Sequence, residues 1–89
     1  MIKKTIRIIN KLGLHARASM KLVNLASQFD SRIFILYKNH KANAKSIMNV
    51  MVLAATKGTE IELQIEGEDE QQALTAIEKL INDRFDESE

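Results

Sequence analysis

The sequence predicts an α+β fold, with elements in the order β-α-β-β-α-β-α and the helices on one face of an antiparallel or mixed sheet. Its 89 residues suit one domain. Segments with a two-residue hydrophobic period alternate with segments of helical period. The three glycines fall where one pattern changes to the next. The chain contains no linker, repeat or low-complexity stretch. We therefore expect one globular domain over residues 1–89.

The first two elements are a strand and a helix. Residues 4–8 alternate polar and apolar side chains, which is typical of a half-buried strand. Residues 10–14 then form a turn around Gly13. Residues 15–29 take a helical period, with one apolar stripe: Ala18, Leu22, Leu25, Ala26 and Phe29.

The middle of the chain predicts a hairpin and a short helix. Residues 32–37 are β-branched and aromatic, and a turn at 38–41 leads into a short strand at 42–44. Ser46 is a good N-cap for a helix over 47–55, which Lys57 and Gly58 close.

The last part predicts a strand and a final helix. Residues 59–66 alternate cleanly, with Ile61, Leu63 and Ile65 facing inward. Asp69 and Gln72 resemble a capping box for a helix whose core side chains are Ala73, Ile77, Leu80 and Ile81. We expect Phe85 to anchor the end of that helix and residues 86–89 to fray.

The composition excludes several classes of protein. The chain has no cysteine, which removes disulfide scaffolds, thiolate zinc sites and cysteine nucleophiles and suits a reducing compartment. His15 and His40 are the two histidines, too few for a transition-metal site, and no phosphate-binding P-loop or dinucleotide fingerprint is present. No apolar run spans a bilayer, and the N-terminus does not read as a signal peptide. We expect a cytoplasmic protein without metal, cofactor or membrane contact.

The formal net charge of +1 conceals an asymmetry along the chain. Residues 1–45 hold ten Lys and Arg against one acid, while residues 46–89 hold eleven acids against three bases. Such a split suggests a polyanionic partner for the basic half, although two ordinary solvated faces would give the same numbers.

One short segment combines the groups that phosphoryl chemistry needs. Gly13 allows a tight turn, so His15 falls at the N-cap of the first helix, whose first backbone N–H groups lack intrahelical acceptors. Those donors and the helix dipole attract phosphate, and the guanidinium of Arg17 can bind two phosphate oxygens. A histidine at a helix start is also commonly a cap or a surface residue. On the residues alone, both interpretations stay open.

Two motifs resemble the signatures of a known family, and the resemblance favours a reactive His15 over a cap or surface residue. Residues 10–19, Asn-Lys-Leu-Gly-Leu-His-Ala-Arg-Ala-Ser, resemble the active-site signature of the HPr family, the histidine phosphocarriers of the phosphoenolpyruvate-dependent sugar phosphotransferase system. Residues 45–51, Lys-Ser-Ile-Met-Asn-Val-Met, resemble the signature around that family's regulatory serine. The similarity runs from Ile2 to about Phe85. The related NPr carriers of the nitrogen branch share the first motif and remain an alternative.

The resemblance implies a fold, a function and roles for individual residues. The fold is an open-faced β-sandwich with a four-stranded antiparallel sheet and three helices on one side. His15 accepts a phosphoryl group from enzyme I and passes it to an enzyme IIA domain, so the chain is a carrier rather than an enzyme. Arg17 and the first helical N–H groups, from Ala16 onward, steady the phosphorylated imidazole. Ser46 is the site that an HPr kinase/phosphorylase would modify.

The same resemblance implies a docking surface and exposes two departures. We expect a monomer that meets its partners through Met20, Lys21, Lys45, Ile47, Met48 and Met51, with the three methionines partly exposed beside His15. Ala18 stands where the family usually has proline, and Asn49 where it often has glycine. Neither change removes the chemistry at His15.

Two further hypotheses compete with the carrier. The basic first half suggests a small nucleic-acid-binding domain, but aromatic side chains for base stacking are scarce and the bases are spread over several elements. A regulatory module that has lost phosphoryl transfer is disfavoured because His15 and Arg17 are both present. We therefore expect no nucleic-acid partner.

Overall fold

The computed structural model describes residues 1–87 and has the predicted α+β order. Four strands and three helices are followed by a short turn. The strands are β1 (Ile2–Arg7), β2 (Arg32–Tyr37), β3 (His40–Asn43) and β4 (Glu60–Glu66), the helices are α1 (Ala16–Ala26), α2 (Ile47–Leu53) and α3 (Glu70–Asn82), and the turn is Arg84–Asp86.

The strands form one antiparallel sheet in the order β1-β4-β2-β3. β4 lies in the middle and pairs Ile61 with Ile6 of β1 and Leu63 with Ile35 of β2. Because side chains alternate along a strand, this register turns the isoleucines and leucine of all three strands to the same face. The fold is therefore the open-faced β-sandwich that the sequence and its resemblance predicted.

The helices cover that apolar face and complete the core. Ala18, Leu22 and Ala26 of α1 are fully buried, as is Ile77 of α3. Phe85, after α3, is also fully buried, in a turn that contacts both α3 and α1, so it anchors the end of α3 as expected. None of the helices within residues 1–87 is long and apolar enough to cross a membrane.

Several element boundaries differ from the prediction, among them β1, which is Ile2–Arg7 rather than residues 4–8, and three of the differences have a clear local reason. α1 ends at Ala26 rather than Phe29, because the next amides bond three residues back, Gln28 N to Leu25 O at 3.0 Å. α2 ends at Leu53 because Ala54 is left-handed, with φ of 50°. β3 begins at His40 because Lys38 and Asn39 both have positive φ and form a tight two-residue hairpin turn.

The predicted capping box at the start of α3 is wrong. Asp69 is the N-cap residue, but its side chain makes no cap hydrogen bond within residues 1–87. Its carboxylate instead accepts bonds from the backbone N–H groups of Asp30 and Ser31, at 2.8 and 3.0 Å, and from the Ser31 hydroxyl. The bond from Ser31 and the backbone bonds lower the pKa of Asp69 below its ordinary value. Asp69 therefore ties α3 to the start of β2.

Candidate functional site

The loop before α1 is held rigidly where it presents His15. Gly13 is buried with φ of 64°, and a Cβ there would overlap the carbonyl of Ala55. Leu14 N donates to that same carbonyl at 2.8 Å, and the Ser19 hydroxyl donates to Leu14 O at 3.0 Å. The loop is thus fixed both to α1 and to the segment that follows α2.

His15 is the N-cap residue of α1 by its backbone only. Its backbone is extended, with φ of −74° and ψ of 178°, and its carbonyl accepts the first helical bond from Ser19 N at 2.8 Å. Within residues 1–87 its imidazole makes no capping bond, and 26% of the side chain is exposed. The side chain is therefore neither a helix cap nor a buried core group, which leaves the ring available for chemistry.

The start of α1 is an electropositive surface. The amides of Ala16, Arg17 and Ala18 precede the first amide with an acceptor one turn back, that of Ser19. The first turn of α1 contains no acidic residue, and Arg17 is exposed. Backbone donors, the helix dipole and a guanidinium together favour a phosphoryl group bound close to the imidazole.

A carboxylate lies against the imidazole, which the sequence did not predict. Glu87 Oε2 is 2.5 Å from His15 Nε2, and Glu87 Oε1 accepts from Asn10 Nδ2 at 3.1 Å. The expectation that residues 86–89 fray is therefore wrong for Glu87, while Ser88 and Glu89 lie outside the described residues. The contact spans 72 positions of chain, so no local pattern indicates it.

The surroundings of Glu87 keep it ionised. Burial raises the pKa of its carboxyl, but the bonds from Asn10 and His15 and the charge of Lys21 act the other way, and the net pKa lies below the ordinary value. Lys21 Nζ also donates to the carbonyl of Phe85 at 2.7 Å, which fastens the segment after α3 to α1. An ionised carboxylate accepts hydrogen bonds and donates none.

Asn10 is a second site residue that the sequence singled out only as part of the turn. It is fully buried, and its Nδ2 donates both to Gly13 O at 2.8 Å and to Glu87 Oε1. Its Oδ1 has no hydrogen-bond partner within the described residues. The two acceptors fix the orientation of the amide, so Asn10 joins the turn to Glu87. The signal available in the sequence was an asparagine three positions before the glycine of a predicted turn.

Ser46 is the N-cap residue of α2, as predicted. Its hydroxyl oxygen accepts from Asn49 N at 3.3 Å and from Asn49 Nδ2 at 3.0 Å. Asn49 Oδ1 also accepts a long bond from Asn43 N, 3.4 Å. The asparagine that replaces the expected glycine therefore ties the cap of α2 to the end of β3.

The residues predicted to dock partners fall into two groups. Met20, Met48 and Met51 are 59%, 71% and 43% exposed, so they are not core methionines. The lysines have structural partners: Lys45 Nζ donates to Phe29 O at 2.6 Å, as Lys21 does to Phe85. Ile47 is half-buried. Leu12 before α1 and Val52 on α2 are further large exposed apolar side chains that the sequence did not single out.

No cluster of three or more histidine or carboxylate side chains suited to a metal occurs among residues 1–87. The described site is accordingly an imidazole, a carboxylate and a set of positive donors. Such a set can activate a nucleophile and hold an anion.

Comparison with known proteins gives concordant results. A family model described as "PTS HPr component phosphorylation site" matches residues 2–83. The phosphocarrier protein HPr of Neisseria meningitidis serogroup A is 53% identical over 89 residues, covering all of both chains.

Solved structures resemble this chain closely. The crystal structure of HPr-C-His from Thermoanaerobacter tengcongensis has a TM-score of 0.96 and 44% identity, with all of both chains covered. A crystal structure of an HPr dimer from the same organism has a TM-score of 0.79 and 45% identity, covering 98% of this chain and all of that one.

Proposed function

Because the chain belongs to the HPr family of phosphocarrier proteins of the phosphotransferase system, we propose that His15 is the residue that carries the phosphoryl group. A member of this family is a carrier turned over by other proteins and not itself an enzyme. The observation that carries the proposal is the placement of an uncapped, partly exposed imidazole at an electropositive helix start. We propose that residues 1–89 act as one domain.

The geometry favours Nδ1 of His15 as the atom that receives the phosphoryl group. Nε2 faces Glu87 at 2.5 Å, so the other ring nitrogen is the one left for an incoming group. The amides of Ala16 and Arg17 then lie at the helix end that the phosphoryl oxygens approach, and the Arg17 side chain adds a charge-assisted donor. These groups replace hydration of the phosphoryl oxygens without taking part in bond making.

The partners we propose are enzyme I as the donor and an enzyme IIA domain as the acceptor, in the cytoplasm. Exposed Met20, Met48 and Met51 support a docking surface, since flexible thioethers adapt to more than one partner. Leu12 and Val52 extend the apolar surface beyond the predicted set. We include Lys21, Lys45 and Ile47 in this surface. The ammonium groups of the two lysines are held in place by hydrogen bonds to backbone carbonyls.

We propose that the chain works as a monomer, whereas the relative from T. tengcongensis has been crystallised as a dimer. A carrier that alternates between two proteins gains from leaving its docking surface uncovered. We also propose Ser46 as the position that an HPr kinase/phosphorylase modifies, because its hydroxyl lies at the positive end of α2.

The test is labelling from phosphoenolpyruvate by enzyme I. Wild-type protein should take up one acid-labile, alkali-stable phosphoryl group per chain, and His15→Ala should take up none. His40→Ala is the matched control, because His40 is exposed at the start of β3, and it should be labelled as fully as wild type. Full labelling of His15→Ala, or none of the wild type, would overturn the proposal.

A further inference from the structure

Glu87 contacts the nitrogen of His15 that the phosphoryl group does not use. Its two carboxylate oxygens face His15 Nε2, at 2.5 Å, and Asn10 Nδ2, at 3.1 Å, and its side chain is 17% exposed. Asn10 is fully buried and is itself held by Gly13 O. The carboxylate is thus clamped between the imidazole and a rigid amide.

We propose that Glu87 is a positioning residue for phosphoryl transfer, which holds the His15 ring with its proton on Nε2 and stabilises the positive ring that transfer creates. The inference rests on the proposed function of His15. It names a role for a residue outside the two sequence motifs.

The first part of the role concerns the tautomer. A neutral imidazole carries one N–H, and an ionised carboxylate offers only acceptors. The nitrogen at 2.5 Å from Glu87 is therefore the donor, and the lone pair resides on Nδ1. Without this contact, the ring would divide its proton between both nitrogens and rotate more freely. In the neutral ring, Glu87 thus fixes the orientation of Nδ1 and directs the single proton to Nε2.

The second part concerns charge during transfer. The Nδ1 lone pair forms the new N–P bond while the bond from phosphorus to the phosphorylated donor breaks, and its electron pair leaves with the donor atom. Nε2 keeps its proton throughout, so the ring gains a positive charge beside the Glu87 carboxylate. In the reverse sense, loss of the phosphoryl group to an acceptor returns the electron pair to Nδ1 and restores the neutral ring. A carboxylate that orients a histidine and stabilises its cation works in this way in hydrolytic triads.

The segment directly before Glu87 has a strained backbone conformation, and this conformation sets the position of Glu87. Arg84, Phe85 and Asp86 have φ of 56°, 53° and 63°, a left-handed run that side chains with Cβ atoms disfavour. The run is held by the complete burial of Phe85 and by the bond from Lys21 Nζ to the Phe85 carbonyl. Glu87 N also donates to Arg84 O at 2.9 Å. Strained conformations that the surrounding structure holds in this way are characteristic of functional sites.

The experiment compares Glu87→Gln with Asp86→Asn, which removes the same charge from an exposed neighbour. Phosphorylated enzyme I is the donor, and the initial rate is measured against carrier concentration. We expect Glu87→Gln to lower kcat about tenfold with KM within twofold of wild type, because a charge-assisted bond to the ring is lost. Glu87→Asp should recover part of the rate, and Asp86→Asn should match wild type.

A spectroscopic measurement separates positioning from a merely structural role. Nitrogen-15 NMR of the unphosphorylated imidazole should show the Nε2–H tautomer in wild type and in Asp86→Asn, and a mixture in Glu87→Gln. An unchanged tautomer together with an unchanged or faster rate in Glu87→Gln would overturn the inference. A wild type that accepts no phosphoryl group at all would overturn the proposed function instead, and the tautomer result would still decide whether Glu87 orients the ring.

Discussion

At the scale of single residues, the site divides its tasks among neighbours that do different chemistry. We propose that His15 supplies the nucleophile, that Arg17 supplies positive charge to the phosphoryl oxygens, and that Glu87, in contact with Nε2, is a fixed acceptor for the ring. In this proposal the Glu87 carboxylate accepts the Nε2 proton of the neutral ring and leaves the lone pair on Nδ1.

Removing the guanidinium tests its share in the transfer. Arg17→Ala should lower the rate of phosphorylation by enzyme I about tenfold to a hundredfold, the loss expected for a charge-assisted hydrogen bond. The unfolding midpoint should stay unchanged, because Arg17 is exposed on the first turn of α1. The measurement is a single-turnover rate, with thermal unfolding as the control. A rate within twofold of wild type would exclude Arg17 from the site.

The residues of the site differ in how far the sequence revealed them. His15 and Arg17 follow a glycine turn within four positions, so local reasoning predicted their grouping. Glu87 reaches the same ring only through the core position of Phe85 and the left-handed turn around it. A fraying acidic end was the reasonable local prediction, and tertiary contacts overrode it. Asn10 lay within the motif, but its bond to Glu87 could not be foreseen.

At the scale of elements, the turn before α1 sets the position of the imidazole. Gly13→Ala should cost about 2 kcal/mol of unfolding free energy, because its φ of 64° is combined with overlap on the Ala55 carbonyl. Gly58→Ala is the matched control: its φ is 88°, but nothing lies within 4 Å of the added Cβ, so the cost should be about 1 kcal/mol. Urea unfolding measures both. Equal costs would contradict the role assigned to the packing of this turn.

The cap of α2 offers a second test at this scale. Ser46→Asp places a negative charge at the N-terminus of α2, which suits the helix dipole, so the fold should remain intact. The same charge would repel an acidic partner surface and lower kcat/KM for phosphorylation by enzyme I about tenfold. Ser46→Asn, a neutral cap of similar strength, should leave the rate unchanged. Equal rates for the aspartate and asparagine variants would remove Ser46 from regulation by charge.

The sequence predicted the type of each strand and helix better than the residues at which it begins and ends. The longer strands and helices follow a hydrophobic period that burial then satisfies, as Ile61, Leu63 and Ile65 illustrate on β4. The ends depend on single conformations such as left-handed Ala54. The predicted capping role of Asp69 was wrong because its carboxylate accepts hydrogen bonds from backbone amides outside α3, those of Asp30 and Ser31.

At the scale of the whole molecule, the division of charge along the chain is largely undone by the sheet. β1, from the basic half, pairs with acidic β4, and Arg7 meets Glu60 at 3.5 Å. Lys4 likewise lies 3.8 Å from Glu78 on α3. These pairs place acidic side chains beside two of the ten bases of the first half. Arg17, on the first turn of α1 next to His15, is not part of these pairs.

Passage of the phosphoryl group through this end tests the account most directly. Protein phosphorylated by enzyme I and purified from it should hand its label to an added enzyme IIA domain, leaving unmodified His15 in the carrier. We expect equal molar loss from the carrier and gain by the acceptor, with no transfer from His15→Ala prepared alongside. Label that stays on the carrier, or appears only as free phosphate when the acceptor is added, would contradict it.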